Sequence, residues 1–363
     1  MKVLYIINIP SPYRVEFFNE LSKFCELTVI YESDRATDRN DAWKGEASGG
    51  YKKIFLKGIR TGAEARFCPA VLKYIKKSDF DVVVVYGYSS PTGMLAIMAL
   101  HRKGIKFFLN ADGGFIKDDE SKTKKKIKHF FISKATWWLS SGELTSKYLE
   151  HYGAIPDKIF EYPFSSVRQA DILQEALSKE QKAVLREHLG VQCDRLVLSV
   201  GQFIQRKGYL GFLTDWTKKA RVGMGLVLIG GGDEQELYKQ LAEECENVWI
   251  LPFLKKHELM EYYKAADAFV LPTNEDIWGL VINEALSFRI PIFSTTNCVA
   301  AMTIKSPDIS VFPTGDNEAI ISAIKAMPSE RPECNLVFDY TIESMAKRHI
   351  EIFELCRKQR RFG

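Results

Sequence analysis

The sequence predicts an α/β protein made of two doubly wound, parallel-sheet domains in tandem. Three observations carry that expectation. Short apolar runs at 3–7, 81–86 and 196–200 alternate with helix-length amphipathic stretches, the pattern of buried parallel strands joined by helices. The alternation starts afresh at Leu196, beyond a proline-punctuated segment, I-P-D-K-I-F-E-Y-P-F-S-S, at 155–166. A chain of 363 residues is long enough for two domains, each with its own core.

In chain order, 3–7 reads as a first strand and runs into the loop N-I-P-S-P-Y-R. An amphipathic helix over about 15–23 and a strand at 27–31 complete a β-α-β start. The first loop holds no glycine, so the G-x-G-x-x-G fingerprint of a dinucleotide site is missing where it belongs. Residues 33–50 are polar and irregular and read as a surface loop. A short strand at 54–56, a helix at 69–77, the strand D-V-V-V-V-Y at 81–86, a helix to about Lys103 and a strand at 106–110 follow. That last strand ends in N-A-D-G-G. Asp112, between a strand end and two glycines, reads either as a group placed for chemistry or as the cap of a turn. The lysine-rich run K-T-K-K-K-I-K at 122–128 reads either as a solvated helix face or as a surface for anionic lipid or a diphosphate-linked substrate. A buried strand at 137–139 leads to S-S-G-E-L-T, a helix start with hydroxyl caps.

The domain junction falls near 165–175. A polar helix at about 178–188 precedes the strand 196–200, which runs into G-Q-F-I-Q-R-K-G. Glycine, a short loop, then Arg206 and Lys207 before a helix make an anion cradle: close backbone, unpaired helix N–H groups and two cations. The strand at 225–229 ends in G-G-G-D-E, a tight turn capped by Asp233. Strands at 248–251 and 268–271 flank a helix at about 258–266. After the latter strand comes P-T-N-E-D-I-W-G, then a helix carrying Glu284, then Pro291 and another apolar run. Two acids in a loop at a strand's carboxyl end, with a third on the following helix, suit a polyhydroxylated ligand gripped from two sides. A short strand at 311–312, a variable proline-containing segment at 328–332 and an amphipathic helix at 341–358 end the chain.

Composition excludes several classes. Hydrophobic residues are 46% and charged residues 26%, ordinary for a globular protein. A net charge of +4 gives nucleic acid no global support as a partner. Seven cysteines, none in C-x-x-C spacing, argue against a disulfide framework and a zinc site and fit a reducing cytoplasm. No stretch reaches the ~18 apolar residues of a membrane span. The opening apolar run is a strand rather than a leader, since Pro10, Pro12 and Arg14 follow it.

The run D-I-W-G-L-V-I-N-E places Asp276 and Glu284 with seven residues between them, and V-G-Q-F-I-Q-R-K-G precedes it. On these motifs, and on the opening N-I-P-S-P-Y-R-V-E-F-F, the chain resembles the retaining glycosyltransferases of family 4, of the bacterial capsule and polysaccharide type. The family pattern is Glu-x7-Glu; here the first position is Asp276, with Glu275 beside it. Gln202 stands where the family usually has a basic residue.

The resemblance implies a GT-B fold: two facing Rossmann-like domains with a cleft between them. It assigns 1–168 to the acceptor, 169–340 to the nucleotide-sugar donor, and 341–363 to a helix packed back on the first domain. It implies that Arg206 and Lys207 hold the donor diphosphate, lined by Gly201 and Gln202. Glu284 would take the ribose hydroxyls; Asp276 or Glu275, with backbone N–H groups near Trp278 and Gly279, would take the sugar. Asp112, Tyr13 and Arg14 would face the acceptor. The implied activity moves a hexose from a UDP- or GDP-sugar to a glycan or polyprenyl-diphosphate-linked acceptor, with neither metal nor cofactor. The implied place is the cytoplasm, with peripheral contact at an anionic membrane. The alternative is a sugar-nucleotide-binding or epimerase-like protein of the same fold without transferase activity. A nicotinamide oxidoreductase is disfavoured by the missing glycine fingerprint.

Overall fold

The computed structural model describes residues 1–34, 49–62, 64–76, 79–117, 119–219, 222–328 and 338–362. Most of the surface loop expected at 33–50 and all but Pro328 of the segment expected at 328–332 lie outside the described residues. The chain divides into two compact units, residues 1–169 with 339–363, and residues 170–338.

The first unit opens with β1 (Lys2–Ile7), α1 (Pro12–Leu21), β2 (Glu26–Tyr31) and β3 (Lys52–Phe55). Ser11 precedes α1 and Pro12 occupies its first turn, where the missing N–H costs nothing; this draws the helix start three residues upstream of the apolar pattern. A small hairpin pairs β4 (Ile59–Arg60) with β5 (Arg66–Phe67), and the helix expected over 69–77 is a 3₁₀ helix at 69–74. Then come β6 (Val82–Tyr86), α2 (Pro91–Arg102), β7 (Phe108–Ala111), α3 (Lys122–Ile132), β8 (Trp137–Ser140), α4 (Glu143–His151) and β9 (Ile159–Glu161). Among the described residues the sheet order is β3-β2-β1-β6-β7-β8-β9, all parallel. Both faces are covered, so β1, β6 and β8 read as unbroken apolar runs.

The second unit carries α5 (Lys179–His188), β10 (Arg195–Gln202), α6 (Tyr209–Lys219), β11 (Met224–Gly231), α7 (Gln235–Glu243), β12 (Val248–Leu251) and α8 (Lys256–Ala265). β13 (Ala268–Leu271), α9 (Leu280–Ser287), β14 (Ile292–Thr295), α10 (Val299–Thr303), β15 (Ile309–Phe312) and α11 (Asn317–Ala326) complete it. Its parallel sheet runs β12-β11-β10-β13-β14-β15. Strand order therefore reverses between β10 and β13, which pair through Val197–Ala268 and Leu198–Phe269. Loops leaving such a neighbouring pair diverge and open a crevice at the carboxyl ends.

The last helix, α12 (Ile342–Phe362), belongs to the first unit. Its His349 ring lies 4.8 Å from Phe17 of α1, and Phe353 lies 5.3 Å from Phe108 of β7. Two expected caps are not made. α4 begins after Gly142 with no side-chain cap, because the Ser141 hydroxyl pairs with Thr145 Oγ1 instead (2.8 Å). α7 is preceded by Glu234, not Asp233, and the Glu234 carboxylate accepts from the Tyr238 hydroxyl one turn along the helix.

Candidate functional site

The basic turn follows β10. Residues 205–207 wind as one 3₁₀ turn, and Gly208 reverses into α6 with φ +70°. A side chain at Gly208 would be strained there and would put its Cβ 2.2 Å from the Pro272 carbonyl. That contact brings in the second loop, which follows β13. The Arg206 carbonyl accepts from the backbone N–H groups of Asn274 (2.9 Å) and Glu275 (3.3 Å) and from Thr273 Oγ1 (3.1 Å). Asn274 Nδ2 donates to the Gln205 carbonyl (3.0 Å). The loops after two adjacent strands are thus one hydrogen-bonded body at the topological switch point.

Side chains repeat that joining. Lys207 Nζ donates to Asp276 Oδ2, with 11% and 9% of the two side chains exposed. Asp276 Oδ1 faces Arg206 Nη1 at 3.9 Å and accepts from the Trp278 N–H (3.4 Å). Arg206 Nη1 also donates to the Glu275 carbonyl (2.6 Å), yet 40% of its side chain stays exposed. Two cations and a helix start are therefore present together, both cations within ion-pair reach of Asp276 and Lys207 bonded to it. Glu275 is half-buried.

The acid loop is held from behind by the turn after β14. The N–H of Asp276 donates to the Asn297 carbonyl (2.8 Å), and Val299 and Ala300 donate back to the carbonyls of Asp276 and Trp278. Trp278 is 2% exposed, and its Nε1 donates to Asn283 Oδ1 (2.9 Å). Of Trp278 and Gly279, therefore, the backbone is what such a site can offer. Gly279 sits in the left-handed region (φ +95°) and starts α9; its missing Cβ would stand 2.9 Å from Cys298 Sγ. Burial pushes the Cys298 thiol up to about 12, so it packs as a small neutral group.

Glu284 lies on α9, half-buried, and its Oε2 accepts from the Tyr263 hydroxyl (3.1 Å). Tyr263 stacks on Phe288 at 5.2 Å, and burial first, then the Glu284 charge, hold its phenol well above its ordinary range. Gly201 and Gln202 end β10; a Cβ on Gly201 would meet the Tyr209 hydroxyl at 2.6 Å. Tyr263, Asn297 and Cys298 were invisible as supports in the sequence. They belong to segments whose spacing carries no motif, and only the sheet brings them beside the acid loop.

In the first unit Asp112 follows the end of β7, as expected, while Arg14 stands on a helix and not in the loop the sequence placed it in. Arg14 is on α1, 1% exposed, and its Nη2 donates to Asp112 Oδ2, while Asp112 is 8% exposed. The helix starts at Pro12, so Arg14 is carried inward onto the sheet's carboxyl edge. Tyr13, beside it, is half-buried and meets Phe164 edge-on at 5.8 Å.

Residues 181–342 match the family model for glycosyl transferases group 1. This stretch is similar to the group 1 glycosyltransferase domain. It holds both loops of the site, from Gly201 to Glu284. The chain is 26% identical over 240 residues to a 41.2 kDa protein in the cps region of Klebsiella pneumoniae, spanning 64% of this chain and 64% of that relative. It is 22% identical over 234 residues to the putative teichuronic acid biosynthesis glycosyltransferase TuaC of Bacillus subtilis, across 63% and 57% of the two chains. The chain thus spans 64% and 57% of the length of these two curated relatives. In three dimensions it is similar to HepE of Anabaena, solved with UDP and glucose, with a TM-score of 0.67 at 14% identity, covering 99% of each chain. That likeness places the two parallel sheets in the GT-B class. Among the described residues, no group of three or more His, Cys, Asp and Glu could hold a metal ion, and no helix is long and apolar enough to cross a membrane.

Proposed function

We propose that the protein is a retaining, metal-independent glycosyltransferase. It moves a hexose from a UDP- or GDP-sugar to a glycan or polyprenyl-diphosphate-linked acceptor in surface-polysaccharide assembly. The observation that carries this reading is the joined pair of loops after β10 and β13. They place Arg206, Lys207 and the start of α6 next to Glu275 and Asp276, inside the stretch similar to the group 1 domain. Relatives named for a cps region and for teichuronic acid biosynthesis support the polymer context, and UDP in HepE supports the donor class.

The physics is that of a departing diphosphate. Negative charge grows on it as the sugar–phosphate bond breaks. Arg206, Lys207 and the unpaired N–H groups at the start of α6 stabilise that charge without a metal. One such contact is worth about 2–4 kcal/mol in the transition state. Gly201 and Gln202 let the backbone approach the diphosphate. Glu284, on the second turn of α9, takes the ribose hydroxyls. Asp276 or Glu275, with the N–H groups of Trp278 and Gly279, holds the sugar. No side chain is assigned as a nucleophile; the acceptor attacks from the face the diphosphate leaves. The first unit supplies the acceptor side, and the exposed lysines of α3 meet anionic head groups at the inner face of the membrane.

A thermal-shift screen with UDP, GDP and their sugars, followed by product analysis with the stabilising donor, tests the proposal. Stabilisation by one nucleoside diphosphate and transfer from its sugar are expected. Absence of a shift with every nucleotide overturns the donor assignment.

A further inference from the structure

We infer that Asp112 is a positioning residue and not the group that receives the acceptor's proton, an inference that rests on the transferase reading. A carboxylate offers about four lone-pair sites. In Asp112 all four are taken. Oδ1 accepts from Asn110 Nδ2 (2.8 Å) and the Tyr162 hydroxyl (2.5 Å). Oδ2 accepts from Arg14 Nη2 and the Tyr86 hydroxyl (2.5 Å). The two phenols are held far above their ordinary range, chiefly by burial and then by the Asp112 charge, so they remain donors at any working pH. A general base must reach the proton it abstracts. Asp112 could do so only by giving up one of its four donors, three of which are buried.

What the carboxylate does instead is visible in its partner. The Arg14 guanidinium is caged by aromatic rings: its Cζ lies 4.7 Å from the centre of Tyr86, 5.1 Å from Phe164, 5.6 Å from Tyr13 and 5.7 Å from Phe17. Among the described residues its Nε and Nη1 have no hydrogen-bond partner. Among the described residues Asp112 is thus the carboxylate paired with a cation that is otherwise held by π-faces. The pair ties the start of α1 to the carboxyl ends of β6 and β7. Tyr162 of the same cluster lies 4.4 Å from the His349 ring of α12. Asp112 and Arg14 therefore set the place of the 11–14 turn, and Tyr13 with it, at the edge where the loops of the first sheet gather.

The test is a double-mutant cycle on Asp112→Asn and Arg14→Gln, with Tyr162→Phe as a mild variant that removes one donor. Melting temperature, UDP affinity, and acceptor kcat and KM across pH are measured for each. For a positioning pair, both single variants melt several degrees lower, and the double variant falls no further than the worse single one. Loss of transfer appears mainly in acceptor KM, about tenfold by analogy with other lost positioning contacts. The acid limb of the kcat profile stays in place, and UDP affinity changes less than twofold. A general base gives another result: Asp112→Asn lowers kcat about 10²–10⁴-fold, abolishes the acid limb, and is not matched by Arg14→Gln. That result, or additive melting losses in the cycle, overturns the inference. If no acceptor is turned over, additive melting losses in the cycle still overturn the positioning pair, whereas failure of the transferase reading shows separately as absent nucleotide binding.

Discussion

Lys207 and Asp276, sixty-nine residues apart, form a buried ion pair that bridges the loops after β10 and β13. The lysine expected to hold a diphosphate is therefore already neutralised by the acid expected to hold the sugar. A buried pair of this kind repays its desolvation only when both partners are kept, and removing one leaves a naked charge at a cost of about 3–5 kcal/mol.

Breaking the pair from either side should have opposite effects on ligand response. Asp276→Asn strips Lys207 of its counter-charge, so the unliganded protein should melt several degrees lower. A nucleoside diphosphate should then restore more stability than it adds to the wild type. Lys207→Ala should weaken diphosphate binding about tenfold, near 1.4 kcal/mol, with a smaller thermal shift. Calorimetry and melting with UDP or GDP check both; equal ligand shifts in the three proteins would remove Lys207 from the cradle.

Glu284 is half-buried and accepts a hydrogen bond from the Tyr263 hydroxyl. Glu284→Gln keeps the shape and the hydrogen bond but loses the charge-assisted grip on ribose hydroxyls. Transfer should fall at least about a hundredfold, while the melting temperature moves little, since a neutral hydrogen bond contributes only about 1 kcal/mol. Near-normal kcat/KM in this variant would exclude Glu284 from the donor site.

His349 makes folding sensitive to acid. Its Nδ1 faces the Met345 carbonyl at 2.7 Å, and complete burial lowers its basicity from the usual range to about 3. The unfolded chain takes up a proton near pH 6.5 while the folded chain does not. Stability is therefore full above about pH 6.5 and falls as pH drops toward 3, by roughly 1.4 kcal/mol per pH unit. Groups facing it include Arg14, Asp112 and Arg348. Urea unfolding at pH 7.5, 6 and 5 should show a steeper loss for the wild type than for His349→Gln; parallel slopes would mean that other groups set the acid limit.

The lysine run of α3 divides in two. Lys128 is turned inward, pairing with Glu120 (2.5 Å) and lying 4.6 Å from the Tyr152 ring. Lys122, Lys124, Lys125 and Lys126 are exposed, with Ile127 and Phe130, 44% and 46% exposed, on the same helix. Basic side chains beside exposed apolar ones suit an anionic interface, at about 1 kcal/mol per lysine near the surface. Reversing these four lysines to glutamate should release the protein from vesicles containing phosphatidylglycerol but not alter its weak association with neutral ones. Unchanged co-sedimentation would leave the run a solvated face.

Much of this was legible in the amino-acid order, for a physical reason. The strand β13 was readable to the residue because a parallel strand buried on both faces must be an unbroken apolar run. The α1 start was less readable, since Pro12 extends the helix beyond its apolar face. The caps of α4 and α7 were misassigned because a hydroxyl or carboxylate near a helix start chooses among local partners by geometry. The motif around Asp276 and Glu284 was local and survives as a loop and a helix.

By itself the sequence determined the two parallel sheets, the basic turn at 206–207 and the acids at 275, 276 and 284, because each is set by neighbours in the chain. Only the tertiary structure decided which charges meet. Lys207 with Asp276, and Arg14 with Asp112, are separated by 69 and 98 residues. They are joined because strand order brings loop ends together, and because a charge taken out of water must find its opposite there.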